Sequence, residues 1–489
     1  ANQKEGLDGY DTIEWAADQA WSNGKVGMVG ASHGGIVQNM ASLYRPPHLA
    51  ALWVDVAPTN AFRWEVRQGG AMALHMYGAL YLHGYDSQEI ADDPAAIERI
   101  ERGAERLREE VWKKPFKEGE TPIAVVPNLE KVLMHYYRDG AYNEWWQQES
   151  LDHAQHFARM ADIPAVYSSG WYDPFAADAS EQFAHMTKQN TTPQRLIVGP
   201  WNHVSMRGKG ASHVGEVEFG ESAFWGDVIL NRERFRWFDR WLKDIDTGVD
   251  DDDPVRIFVM GGGTGATAGT GRIFHGGEWR TEREWPLKRA VDTTYFLRSG
   301  GGLALAEPDA EDSSTTWLHN PESPVPSVSG NVTGFYEWGV LPPDIDAANL
   351  PQRARMKSLI PDGPLHQLER DSTVGASTPP ALLADRPDVN VFETEPLESD
   401  IEMTGPIAVN LWISSDATDT DFTAKLLDVY PPTEGYPDGF HLPLADSILR
   451  ARYREGFDAE MLMEPGTVYE LQIELPPISN LFTRGHRIR

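Results

Sequence analysis

The pentapeptide Gly30-Ala31-Ser32-His33-Gly34 follows an apolar run at 26–29 and precedes a helical pattern at 35–44. A serine between small residues at a strand–turn–helix junction is the pattern of a nucleophile elbow, where a strained turn lifts Oγ clear of a sheet. A Cβ at either glycine is expected to collide with neighbouring backbone. A serine hydroxyl is a weak nucleophile at neutral pH, so it needs an imidazole within hydrogen-bond reach and a carboxylate to hold that imidazole in one tautomer. In a sheet enzyme both partners should follow strand ends. Asp173 comes after the apolar run 165–169 through Gly170-Trp171-Tyr172, and His203 comes after 195–198 through Gly199-Pro200-Trp201-Asn202.

Each of these residues has a competitor. Gly210-Ala211-Ser212-His213 repeats the elbow tetrapeptide but continues with Val214 and has no apolar run before it, so Ser212 reads as a loop serine. Asp173 also reads as a helix N-cap with Pro174 at the first helical position, and Asp178 is a nearby alternative acid. His203 is one of 15 histidines and is singled out by its place after a strand. The chain order Ser, Asp, His is the one α/β-hydrolases use. With no cysteine in 489 residues, disulfides, thiolate metal sites and a cysteine nucleophile are excluded.

The elements that would position these groups alternate. From residue 8 to about 60, helix and short apolar strand take turns, and the alternation resumes at 165–169, 195–198 and a helix over about 228–244, which argues for parallel βα units. Between them, about 61–154, strand signals fade and charged helical periodicity appears, as in 94–112, which reads as a helical insertion. After the acidic stretch Asp250-Asp251-Asp252-Asp253, short β-rich runs at 255–260, 407–413 and 469–475 are punctuated by Gly and Pro, which reads as a β-sandwich. Residues 261–271 are glycine-rich and read as a loop. The 74 acidic against 43 basic residues give a formal charge of −31, which disfavours nucleic acid and anionic membranes as partners. No stretch approaches the roughly 20 apolar residues of a membrane span.

Further stretches carry a resemblance. Asp8-Gly9-Tyr10-Asp11-Thr12-Ile13-Glu14-Trp15, Trp21-Ser22-Asn23-Gly24-Lys25-Val26-Gly27-Met28, the elbow, Gly170-Trp171-Tyr172-Asp173 and Gly199-Pro200-Trp201-Asn202-His203 resemble the cocaine esterase and X-prolyl dipeptidyl peptidase family. The likeness continues through Val391-Phe392-Glu393-Thr394, Pro396-Leu397, Thr404-Gly405-Pro406, Ser414-Ser415-Asp416, Thr420-Asp421-Phe422 and Arg484-Gly485-His486-Arg487. It implies an α/β fold: a hydrolase core over 1–60 and 155–248, an inserted helical cap at 61–154 and a C-terminal jelly roll at 249–489. It also implies Ser32 as nucleophile, His203 as base and Asp173 as its orienter.

Two departures from the family pattern matter. His33 replaces the usual Tyr after the nucleophile; its backbone N–H can still donate to an oxyanion, while its side chain should alter the pocket. The family's second oxyanion donor, a Tyr hydroxyl, and the first strands would lie before Ala1. Both termini read as cut, and the 489 residues alone are expected to be poorly soluble and nearly inactive, with the edge of the elbow strand unpaired.

Phe175 reads as an apolar pocket wall or a core aromatic, and no carboxylate cluster for a substrate ammonium is evident. Met72, Met76, Tyr77 and Tyr81 could line the same pocket, although their helical spacing favours packing within the cap. The expected activity is cofactor-free and metal-free hydrolysis of small ester or amide substrates by a soluble protein, cytoplasmic rather than secreted. The alternatives are an X-prolyl dipeptidyl peptidase-like aminopeptidase and, in another class, a non-catalytic ligand-binding protein with an inert hydrolase core.

Overall fold

A computed structural model describes residues 4–203, 211–267, 269, 271–309, 314–331, 359–361, 363–371 and 373–489. The chain opens with α1 (Glu5–Ala17), β1 (Val26–Ala31), α2 (His33–Leu43) and β2 (Leu49–Asp55). Helices α3 (His75–Tyr85), α4 (Pro94–Glu105) and α5 (Pro127–Arg138) then gather the insertion. The alternation resumes with β3 (Ala165–Tyr172), α6 (Ala176–Gln189), β4 (Gln194–Asn202), α7 (Asp227–Lys243) and β5 (Val255–Gly261). The remainder is β-rich: β6 (Gly277–Glu282), β7 (Ile401–Ile413), β8 (Asp421–Val429), β9 (His441–Arg450) and β10 (Tyr469–Phe482).

Strands β1 to β5 lie side by side in chain order, each parallel to the next. Every residue of β3 is buried, as expected for a parallel strand covered by helices on both faces. β7 instead alternates exposed and covered positions, the mark of an antiparallel strand with one wet face. The elbow strand β1 sits at the edge of this order, and Val29 on it is 51% exposed.

The sheet does not stop where the linker suggests. Residues 255–260, expected to open the sandwich, pair in parallel with β4 through Leu196↔Val255 and Val198↔Ile257. β10 then joins β5 in parallel at Asn480↔Met260, and β7 closes the sheet antiparallel to β10. One continuous sheet therefore crosses residue 249. A second small sheet, β9–β8 with 487–488, packs beside it.

In the cap, Asp93 accepts from the amides of Ala95 and Ala96 at 3.1 Å each, with Pro94 at the first helical position, so α4 starts where capping chemistry dictates. The helix expected over 94–112 breaks at Arg106 and restarts at Leu107–Glu110, and Leu107 and Val111 continue the buried face of Ala96, Ile100 and Ala104. Tyr77 and Tyr81 are buried there with their hydroxyls 3.0 Å apart, and Met76 packs with Phe62 and Trp146. These residues pack the cap, as their helical spacing favours.

Candidate active site

The elbow forms at the top of β1. Ser32 holds φ 58° and ψ −123°, a conformation that a β-carbon residue adopts only under strain, and its N–H donates to the Asp55 carbonyl at 2.9 Å. A Cβ at Gly30 would lie 2.9 Å from the Gly34 carbonyl oxygen, so that glycine is required. Gly34 is different: nothing lies within 4 Å of a Cβ there, contrary to the expectation that both flanking glycines are sterically compelled. The glycine that packing demands is Gly35, whose Cβ would meet the Ala57 Cβ at 2.5 Å. β2, alongside, is pinned by the buried Asp55 carboxylate, which accepts from Trp53 Nε1 at 2.8 Å and from Ser168 Oγ and Arg234.

The strand ends carrying the other two residues are shaped by their own glycines. A Cβ at Gly170 would sit 2.1 Å from the Trp201 carbonyl oxygen, and one at Gly199 2.4 Å from the Trp201 indole. These glycines let β3 and β4 close up past a register shift to the pair Tyr172↔Asn202. The next residue on each strand is Asp173 and His203. His203 Nδ1 lies 2.9 Å from Asp173 Oδ2, and its Nε2 lies 3.1 Å from Ser32 Oγ. His203 is 1% exposed and Asp173 fully buried. The three residues separated by 141 and 30 positions thus meet at one sheet edge.

Asp173 takes the role of orienting acid and not that of helix N-cap: the helix begins at Ala176, with Phe175 at its N-cap and Pro174 ahead of it. Oδ1 accepts the Phe175 N–H at 2.8 Å, closing a turn that precedes α6, while Oδ2 faces the imidazole. The alternative acid Asp178 is engaged elsewhere: its Oδ1 accepts from Thr59 N–H at 2.8 Å and Thr59 Oγ at 2.6 Å. Burial pushes its carboxyl up to about 8. Phe175 is 2% exposed and stands edge-on to the His203 ring with centroids 5.4 Å apart, so it braces the imidazole instead of forming an open pocket wall. The His33 side chain also departs from expectation; it turns away to Glu5 on α1, Nε2 to Oε1 3.1 Å. Its backbone N–H stands at the first position of α2, where a helix cannot satisfy its own amides.

The decoy separates cleanly. Ser212 is a bend residue whose carbonyl accepts Phe219 N–H at 2.7 Å ahead of a two-residue strand, with no helix after it; Gly210 lies outside the described residues. One residue near the site escaped the sequence reading. His75, the first residue of α3, is buried, and burial together with the charge of His203 lowers it to about 4, so it faces the site as a neutral imidazole. Nothing in its sequence context distinguishes it from the other histidines.

A strained serine, a buried imidazole and a carboxylate at the carboxyl edge of a parallel sheet, with helices inserted in the chain between its second and third strands, define a serine hydrolase of α/β-hydrolase fold. Comparison with known proteins places it more narrowly. Residues 1–205 match the X-Pro dipeptidyl-peptidase (S15 family) model, and 247–489 match the X-Pro dipeptidyl-peptidase C-terminal non-catalytic domain. The chain is 30% identical to the cocaine esterase of Rhodococcus sp. (strain MB1 Bresler) over 98% of its own length and 75% of that protein's. It belongs to this cocaine esterase and X-Pro dipeptidyl-peptidase family. Among solved structures, an aminopeptidase from a marine sediment archaeon, Thaumarchaeota archaeon, superposes over 99% of this chain and 71% of that one, at 21% identity and TM-score 0.68. An α-amino acid ester hydrolase does so over 99% and 72%, at 23% identity and TM-score 0.67.

Proposed function

We propose that the protein cleaves ester bonds of small acyl substrates through an acyl-enzyme on Ser32. The observation that carries this reading is the position of His203, which touches Ser32 Oγ on one nitrogen and Asp173 on the other. Asp173 accepts a hydrogen bond from Nδ1–H without taking its proton, which holds the tautomer whose unprotonated Nε2 faces the serine. As Oγ attacks the ester carbonyl, its proton passes to Nε2, and the oxygen that becomes negative is stabilised by the His33 backbone N–H. Collapse of the adduct expels the alcohol, which takes the proton from His203. A water then attacks the acyl-enzyme, gives its proton to Nε2, and Ser32 leaves with that proton restored. In this reading the cap at 61–154 covers the site and 249–489 forms the C-terminal β domain.

A second reading, release of dipeptides from X-Pro peptides, is favoured by the S15 match over 1–205. A fluorophosphonate probe is expected to label the protein and to lose labelling on Ser32→Ala. A panel of p-nitrophenyl esters and X-Pro-p-nitroanilides then separates the activities. Ester turnover well above anilide turnover supports the first reading, the reverse order supports the second, and absence of both labelling and turnover leaves the inert binding protein.

A further inference from the structure

The motif Arg484-Gly485-His486-Arg487 is not used by the chemistry above, yet His486 belongs to a hydrogen-bonded chain buried where the C-terminal β region meets the hydrolase sheet. Asp428 and Asn480 are fully buried, His275 is 1% exposed, and Tyr430 and His486 are nearly as enclosed. His486 Nδ1 lies 2.7 Å from Asp428 Oδ1, and Asn480 Nδ2 donates to Asp428 Oδ2 at 3.4 Å. The Asn480 oxygen therefore accepts from His275 Nε2–H at 2.8 Å, and His275 Nδ1 accepts from the Tyr430 hydroxyl at 2.5 Å. Burial holds His275 below its ordinary range, consistent with the neutral ring this order needs. Every donor along the chain points toward one carboxylate.

The chain ends against the site. Asn480 is the residue at which β10 joins β5. Phe219 packs between the His275 ring, 5.9 Å away, and the Tyr172 ring, 6.1 Å away. Tyr172 is 1% exposed, and burial and then the Asp428 charge push its phenol above the ordinary range. Tyr172 closes β3 opposite Asn202, and Asp173 and His203 are the next residues on the two strands. A buried polar chain of this kind costs desolvation that an apolar core would not, and what it supplies in return is a single geometry.

We propose that Asp428, with Asn480, His275, Tyr430 and His486, is a positioning device that holds Tyr172 and, through it, the strand ends that aim Asp173 at His203. The inference rests on the catalytic reading of Ser32, Asp173 and His203. Asp428→Asn sets an amide donor against a chain of donors. Because a misplacement of about 1 Å can cost about 10²-fold, this variant is expected to lower kcat on a p-nitrophenyl ester about 10- to 100-fold, with KM changed less than about twofold. The acidic limb of its kcat/KM profile should move to lower pH, because a poorly aimed Asp173 stabilises the imidazolium less.

Tyr430→Phe keeps the ring and removes one donor; about three- to fivefold in kcat is expected, in the range of one modest hydrogen bond. Ile473→Val, in the same β region, is the control for stability alone and should lower the thermal midpoint without moving kcat or the limb. A folded Asp428→Asn or Tyr430→Phe protein with unchanged kcat and unchanged limb overturns the proposal, whatever its thermal midpoint. A wild-type protein that is neither labelled by fluorophosphonate nor active on esters overturns the catalytic reading instead, and this inference with it.

Discussion

The described residues contain two buried imidazole–carboxylate pairs of nearly the same length, His203–Asp173 at 2.9 Å in the hydrolase core and His486–Asp428 at 2.7 Å in the C-terminal β region. Their third partners differ. The far nitrogen of His203 meets a serine held at φ 58°, whereas the second carboxylate turns its other oxygen to the Asn480 amide and its histidine lies against the Tyr430 ring, centroids 4.1 Å apart. An Asp–His pair is therefore no signature of acyl transfer by itself. In the proposed mechanism the first pair owes its chemistry to a strained hydroxyl within 3.1 Å of Nε2, whereas the second pair's described partners are Asn480 and the Tyr430 ring.

The largest test of this contrast is charge removal at the first acid. Asp173→Asn should lower ester turnover by about four orders of magnitude by favouring the wrong His203 tautomer, against the far smaller loss for Asp428→Asn. Steady-state rates on one ester settle it, and a loss below about tenfold would hand the role to another acid.

The elbow offers the next test, since its strain distinguishes the two pairs. Gly35→Ala forces a Cβ onto Ala57 and should cost about 1–3 kcal/mol in denaturant unfolding. Gly34→Ala enters open space within α2 and should be neutral or gain up to about 1 kcal/mol. Equal costs at both would mean that the turn is held by something other than these contacts.

A smaller effect comes from the carboxylate that joins neither pair. Asp178 titrates near 8 in the fold against 3.8 for an ordinary carboxyl, so the folded state holds a proton that the unfolded state has released. Its contribution favours folding at low pH and is lost as pH rises from about 4 to about 8. Asp178→Asn should be better tolerated at pH 9 than at pH 6, read as the difference in thermal midpoint from wild type; a pH-independent difference would show that the carboxyl is ionised in the fold. Smallest of all, the −31 formal charge should slow anionic esters relative to neutral ones, with the gap closing as salt rises.

Much of the site was legible because its residues carry local grammar. A serine among small residues after an apolar run, and two polar residues just beyond strands in the order Ser, Asp, His, depend on neighbours a few positions away. The same local reasoning misjudged Gly34 and singled out Phe175 for a pocket, because it cannot tell which neighbour a Cβ or a ring will meet. His75 was invisible for a related reason: its significance is its proximity to His203, and 128 residues of chain separate the two.

The amino-acid sequence by itself determined the alternation of strand and helix, the cap inserted into it, the β-rich end and the elbow, since periodicity, turn residues and capping act within a few bonds of their cause. Only the tertiary structure decided that residues 255–261 extend the hydrolase sheet and that β10 joins them. It alone also decided that Asp173 closes the turn at Phe175 and faces His203 at once, and that a second Asp–His pair is sealed against the first site's strands. Those outcomes depend on which surfaces meet after the chain has run on, from 30 residues between Asp173 and His203 to 220 between Met260 and Asn480, and a carboxylate or an edge strand carries no local mark of the partner it will find.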